Sequence, residues 1–187
     1  MPVRGLGHLT LLIAACTFVG CKAKTPEKLN DARTLIVNYS RHERYDDAIR
    51  VAQVWMGRHP EDSLYDQIAI VYLAKASKDS AHRDQWAEQA VANFEKDLQT
   101  HKMGAVDIEL YYVGLGFERA ADLSTHDSCS YYGRAVKAFE DEVQFIQGDS
   151  YSVYGSTTPL APVRQGNETA LERVKSKFDK AGCKRAS

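Results

Sequence analysis

Cysteine is scarce in this chain. Only four occur in 187 residues, and two of them, Cys16 and Cys21, stand near the N-terminus. Beyond that end, only Cys129 and Cys183 remain to form a bridge, which an oxidising compartment would permit. Charge of one sign is also missing. There are 24 basic and 25 acidic residues, for a net charge of −1. A general nucleic-acid binder carries a basic surplus, so no nucleic acid is expected as a partner. No later segment approaches the roughly 20 apolar residues that a membrane-spanning helix requires. The signatures of catalysis are absent too. The sequence holds no HExxH, no GxSxG, no phosphate-cradling loop and no GxGxxG. His42, His59, His82, His101 and His126 are scattered without paired ligand spacing, so neither a metal nor another cofactor is expected. His126, Asp127, Ser128 and Cys129 are consecutive, and neighbours in sequence cannot close a triad. One catalytic reading stays open: Cys129 in the first turn of a helix could be a low-pKa redox thiol. What is present is ordinary for a folded chain, 44% hydrophobic and 26% charged, and disorder is not expected.

The N-terminus carries the clearest signal. Arg4 precedes a mostly apolar run over 9–20, and small residues lead to a cysteine, the pattern of an export signal. Phe18-Val19-Gly20-Cys21 resembles the lipobox of bacterial lipoproteins. That resemblance implies removal of residues 1–20 and lipidation of Cys21. Ile13-Ala14-Ala15-Cys16 is an alternative site. Cleavage there would leave the apolar Thr17-Phe18-Val19 at the new N-terminus, whereas polar residues follow Cys21 directly. The expected location is outside the cytoplasm, lipid-anchored to a bacterial membrane and facing the periplasm or the exterior. Residues 21–27 read as a short tether, reaching at most roughly 20 Å.

The body over 28–147 repeats. Tyr45, Ala48 and Pro60 sit at the spacings of a tetratricopeptide (TPR) second helix and its exit, with Leu35 and Tyr39 on the helix before. Tyr65, Ile68, Ala69 and Tyr72, then Ala90 and Phe94, give a second copy. Leu110, Val113, Gly114 and Phe117, then Tyr132, Ala135 and Phe139, give a third. The small residues of the second helices recur at wider intervals than the roughly 34 residues of a standard repeat, which implies longer hairpins. Small residues let two helices approach, and large ones fill the space beside them. Asp62 or Ser63, Asp107 and Asp127 are candidate helix caps. Gly114-Leu115-Gly116 reads as helix packing. The fold expected is all-α: three TPR-like antiparallel hairpins stacked as a short solenoid, with a C-terminal capping helix.

Gly148, Gly155, Pro159, Pro162 and Gly166 punctuate 148–166, which is expected as a loop without a partnered strand. A capping helix follows over 167–183, with Ala170, Leu171, Val174 and Phe178 as its apolar stripe, and 184–187 is a tail. If this helix packs antiparallel on the one that Cys129 opens, Cys129 and Cys183 meet in a disulfide. The TPR resemblance implies a protein or peptide partner on the face of the first helices, and Asn38, Arg41, Gln67, Lys75, Glu109 and Tyr112 are the candidates. Tyr151 and Tyr154 in the loop are candidates for the same contact, or for a small ligand or glycan instead. The expected role is a non-catalytic envelope scaffold.

Overall fold

The computed structural model describes residues 26–100, 109–146, 150–153 and 156–184. Cys16 and Cys21 lie outside them, as do Asp107 and Tyr154. Seven helices dominate: α1 (Leu29–Arg41), α2 (Tyr45–Arg58), α3 (Tyr65–Lys78), α4 (Arg83–Thr100), α5 (Glu109–Leu123), α6 (Ser128–Phe145) and α7 (Ala161–Lys180). Between α6 and α7 sits a small hairpin of β1 (Ser150–Val153) and β2 (Ser156–Pro159). Among the described residues the fold is all-α apart from that hairpin.

Each helix packs on the next in sequence. Each odd helix also touches the following odd helix, α1 on α3, α3 on α5 and α5 on α7. Small residues make this possible. Ala48, Ala69, Ala90 and Ala135 are completely buried. A Cβ on Gly114 would come within 2.8 Å of the Phe139 ring, and one on Gly116 would enter the ring of Phe94. Phe94 meets Phe117 edge-on at 5.8 Å, and Tyr111 meets Phe139 at the same distance. The packing reading of Gly114 and Gly116 therefore has a definite cause: each glycine leaves room for a phenylalanine of a neighbouring helix.

Two expectations for the C-terminal region need correction. Val153 and its neighbours do have a partner, because β1 pairs antiparallel with β2, Tyr151 opposite Thr158. The last helix begins at Ala161 and not at Asn167. Pro162 falls in its first turn, where the missing N–H has no intrahelical acceptor to lose. Gly166 lies within the helix and faces open space. Proline and glycine therefore mark the entrance to this helix and do not interrupt it.

The expected caps differ in part. Asp127 precedes α6 but makes no capping hydrogen bond with its side chain. Its own N–H donates to Ser124 Oγ instead. Asp62 accepts a hydrogen bond from Trp55 Nε1 at 3.1 Å and so braces the exit of α2. Ser63 does serve the start of α3: its Oγ accepts the Tyr65 N–H at 3.5 Å while donating to Asp97 Oδ1 on α4 at 2.8 Å.

Cys129 and Cys183 lie at disulfide distance, with their Cα atoms 5.3 Å apart. A local device delivers Cys183. Gly182 takes φ of +71° just past the end of α7. The Cys183 N–H then returns to Phe178 O at 3.2 Å and the Gly182 N–H to Asp179 O at 3.0 Å. This is a helix terminus turned back on itself by a left-handed glycine. It turns the sulfur of Cys183 toward the start of α6.

Candidate binding groove

The exposed large apolar side chains among the described residues are Val37, Val54, Ile70 and Tyr112. Three of these lie on odd helices, Val37 on α1, Ile70 on α3 and Tyr112 on α5. A groove of about 580 Å³ runs between these helices. Arg33 lines it from α1; Asp66, Gln67 and Ile70 from α3; Tyr112 and Gly116 from α5, with Phe94 of α4 in its wall. Ile70 is 51% exposed and Tyr112 57%. Asp66 and Ile70 are four residues apart, so they share one face of α3.

Asp66 is the polar centre of this groove. Burial raises its carboxyl above the ordinary aspartate value, and the nearby charge of Asp97 pushes in the same direction. Gln67 Nε2 donates to Asp66 Oδ2 at 2.8 Å and partly offsets the rise. No cation comes within ion-pair reach of Asp66 among the described residues. Arg33 acts on it only through space, as the weakest influence. Asp97 is 2% exposed, and its Oδ2 has no hydrogen-bond partner among the described residues. Asp66 on α3 thus feels the charge of a buried carboxylate on α4, one of whose oxygens is unpartnered among the described residues.

A smaller pocket of about 260 Å³ continues past Tyr112. Tyr111, Pro162, Val163 and Asn167 line it. Asn167 is 1% exposed. Its Nδ2 donates to Val163 O at 3.0 Å, which leaves the buried Oδ1 without a donor among the described residues. A third pocket of about 450 Å³ lies beside the disulfide, between α6 and α7, and the Lys175–Glu140 ion pair of 2.7 Å closes one side.

The structure divides the candidate residues. Gln67 and Tyr112 fall in the groove. Asn38 and Arg41 are exposed on α1 but do not line it. Lys75 is already engaged: its Nζ lies 3.9 Å above the Trp86 ring and 2.8 Å from Asp46 Oδ1. It clamps helices, which removes it as a free contact. Glu109 opens α5 and Tyr151 lies in β1, and only the backbone of each is described. Asp66 and Ile70 were missed in the sequence. Ile70 carried a usable signal, being an isoleucine on a face that helical spacing assigns to solvent.

The metal-capable side chains are a single trio among the described residues, His59, Glu61 and Asp62, with ligand atoms within 4.8 Å of one another. The His59 ring stacks on Trp55 at 4.1 Å, and Asp62 accepts from the same Trp55. This arrangement is an indole-braced turn after α2. Cys129 is paired with Cys183 and so is not a free low-pKa thiol in this state.

Comparison of the chain with family models, with curated proteins and with solved structures finds no match in any of the three.

Proposed function

We propose that this protein is an exported, lipid-anchored scaffold of TPR-like helical hairpins that binds a segment of another envelope protein along the groove of its odd helices. One observation carries the reading. Ile70 and Tyr112 stand half-exposed on adjacent odd helices around a groove of about 580 Å³. Contiguous exposed apolar surface rimmed by polar groups is the usual mark of a protein contact site. Contacts between successive odd helices are compatible with stacked hairpins of any kind and leave room for the TPR-like reading. The anchor rests on the sequence at Cys21, with Cys16 as the alternative.

Proximity labelling in cells tests both parts. The intact protein should label a defined set of envelope neighbours. Ile70→Asp with Tyr112→Ser should remove the direct partner from that set while far-UV circular dichroism stays unchanged. Cys21→Ala should release the protein from the membrane fraction. An unchanged neighbour set in the double variant removes the groove from the proposal, and membrane retention of Cys21→Ala removes that anchor.

A small-ligand or glycan reading has one supporting feature, the pocket of about 260 Å³ at Asn167. Its Oδ1, unpartnered among the described residues, would take a hydroxyl or amide donor. Saturation-transfer NMR with a panel of sugars, on wild type and Asn167→Leu, distinguishes the two readings.

A further inference from the structure

Several other carboxylates among the described residues, buried or part-buried, have clear partners. Glu118 receives Arg173 and Lys177. Asp122 receives Lys177 and the hydroxyl of Tyr132. Asp84 takes three hydrogen bonds from Ser124 and Thr125. Asp62 takes the indole of Trp55. Asp66 differs. It lines an open groove and is met by Gln67 alone, through the side-chain amide and the backbone N–H, with no cation in ion-pair reach among the described residues. Behind it lies Asp97, almost fully buried, with an oxygen unpartnered among the described residues. Desolvating a carboxylate without an opposite charge is costly, and a fold has no reason to do so in an accessible place unless a cation arrives there.

The surroundings specify that cation further. Ile70 shares the face of α3 with Asp66, and Tyr112 stands across the groove on α5. A side chain with an apolar stem and a charged head fits this set. Its stem would cover Ile70, its head would reach Asp66, and the face of Tyr112 could accept a cation as well. A guanidinium suits the place better than an ammonium, because it pairs with a carboxylate through two bonds and stacks on rings.

We infer that the groove takes an extended segment of a partner protein carrying an arginine or lysine between apolar residues, with the basic side chain docked on Asp66 between Ile70 and Tyr112. This rests on the proposed groove and adds the chemistry of its occupant. Arg33, on the α1 rim, lines the same groove and would oppose a second basic residue there. The preferred segment therefore holds one central cation and not a polybasic run.

A randomised decapeptide display library tests this on the immobilised full chain. Wild type should enrich peptides with one arginine or lysine flanked by apolar residues. Synthetic copies should bind Asp66→Asn roughly tenfold more weakly, the scale of one charge-assisted contact. Ile70→Asp should lose them altogether. Identical pools from wild type and Asp66→Asn, both lost in Ile70→Asp, overturn the cation and leave the groove standing. Pools indifferent to Ile70→Asp, or no enrichment on wild type, overturn the groove and the inference with it. Concentration-dependent dimerisation abolished by Ile70→Asp would make a second copy the occupant and overturn the assignment. Far-UV circular dichroism of each variant keeps a folding defect separate from a binding defect.

Discussion

The two ends of the molecule are held together by different physics. At the N-terminal end, α1, α2 and part of α3 enclose a cluster of Ala32, Ile36, Ala48, Ile49, Trp55 and Leu64. The polar ties from this hairpin to α3 are surface pairs, Lys75 to Asp46 and Lys78 to Glu43. Asp46 is 87% exposed, and such pairs contribute about 0–1 kcal/mol. At the other end Phe94, Phe117, Phe139, Val174 and Phe178 fill a larger cluster across α3 to α7. That cluster also has a disulfide and an ion pair centred on Glu118, which is 8% exposed. Helix α3 belongs to both, giving Ile68 and Val71 to one cluster and Ala69 and Leu73 to the other. The groove crosses this seam, with Arg33 on the weaker side and Tyr112 on the stronger. The difference implies that α1 and α2 open first, and that the groove is lost when they do.

Reducing the disulfide gives the strongest test of the comparison. Cys129 and Cys183 are 54 residues apart, and a loop of that size stabilises by up to about 4 kcal/mol in the chain-entropy model. Cys129→Ser with Cys183→Ser should lower the denaturation midpoint accordingly. Hydrogen exchange should then show lost protection in α6 and α7 before any change in α1 and α2. Equal loss at both ends would mean one cooperative unit, and the comparison would fail.

Two glycines sharpen it further. Gly116 faces Phe94 so closely that a methyl cannot fit without moving the ring. Gly116→Ala should cost about 1–3 kcal/mol by overpacking. Gly57 of α2 has open space where its Cβ would be. Gly57→Ala should stabilise by about 0.4–1 kcal/mol, because the unfolded chain loses freedom and nothing clashes. Chemical denaturation of both variants reads the two signs directly. A destabilising Gly57→Ala would show that the N-terminal hairpin is packed as tightly as the rest.

The same contrast explains what the sequence disclosed. Helix class and the small-residue notches were readable, because Ala48, Ala90 and Ala135 recur beside aromatic residues on one helical face. The Cys129–Cys183 pairing followed from antiparallel packing of two helices of similar length. Other features depend on tertiary context that spacing does not encode. Lys75 looked free because its neighbours in sequence do not include Trp86 or Asp46. Asp66 stands in the first turn of α3, where the positive end of a helix favours any acid, so spacing does not set it apart. Only the approach of α1, α4 and α5 makes it a desolvated carboxylate in a groove. Helix α7 was placed too late because Pro162 and Gly166 were weighed as breakers, when one sits in the first turn and the other faces solvent.

A smaller effect should come from Glu118. Its carboxyl is desolvated by burial, yet the hydrogen bonds from Arg173 and Lys177 outweigh that and hold it below the ordinary glutamate range. Glu118→Gln keeps the shape and removes the charge. Arg173 and Lys177 are partly exposed and can turn to water, so the cost should be about 1–2 kcal/mol and not that of a fully buried pair. Glu43→Gln at the weaker end should cost under about 0.5 kcal/mol. Similar losses from the two variants would erase the distinction between the ends.

Acid separates the seam from the C-terminal end by sign. Asp84 is held down to about 2 by Thr125 and Ser124, and Glu118 is also lowered. Their contribution is complete above the unfolded carboxylate pKa of about 4 and disappears as pH falls toward 2. Asp66 behaves in the opposite way, because burial raises its pKa. Its charged form opposes folding at neutral pH, and the opposition fades as pH falls through the raised value. Asp66→Asn should therefore raise the melting temperature slightly at pH 7, with the gain shrinking as pH is lowered through the range where Asp66 takes up its proton. Thermal melts of wild type and variant across that range provide the measurement. A loss at pH 7 would mean that Asp66 supports the fold. A gain would mean that the chain keeps a carboxylate at some cost to its own stability, as expected of a residue retained for a partner's cation.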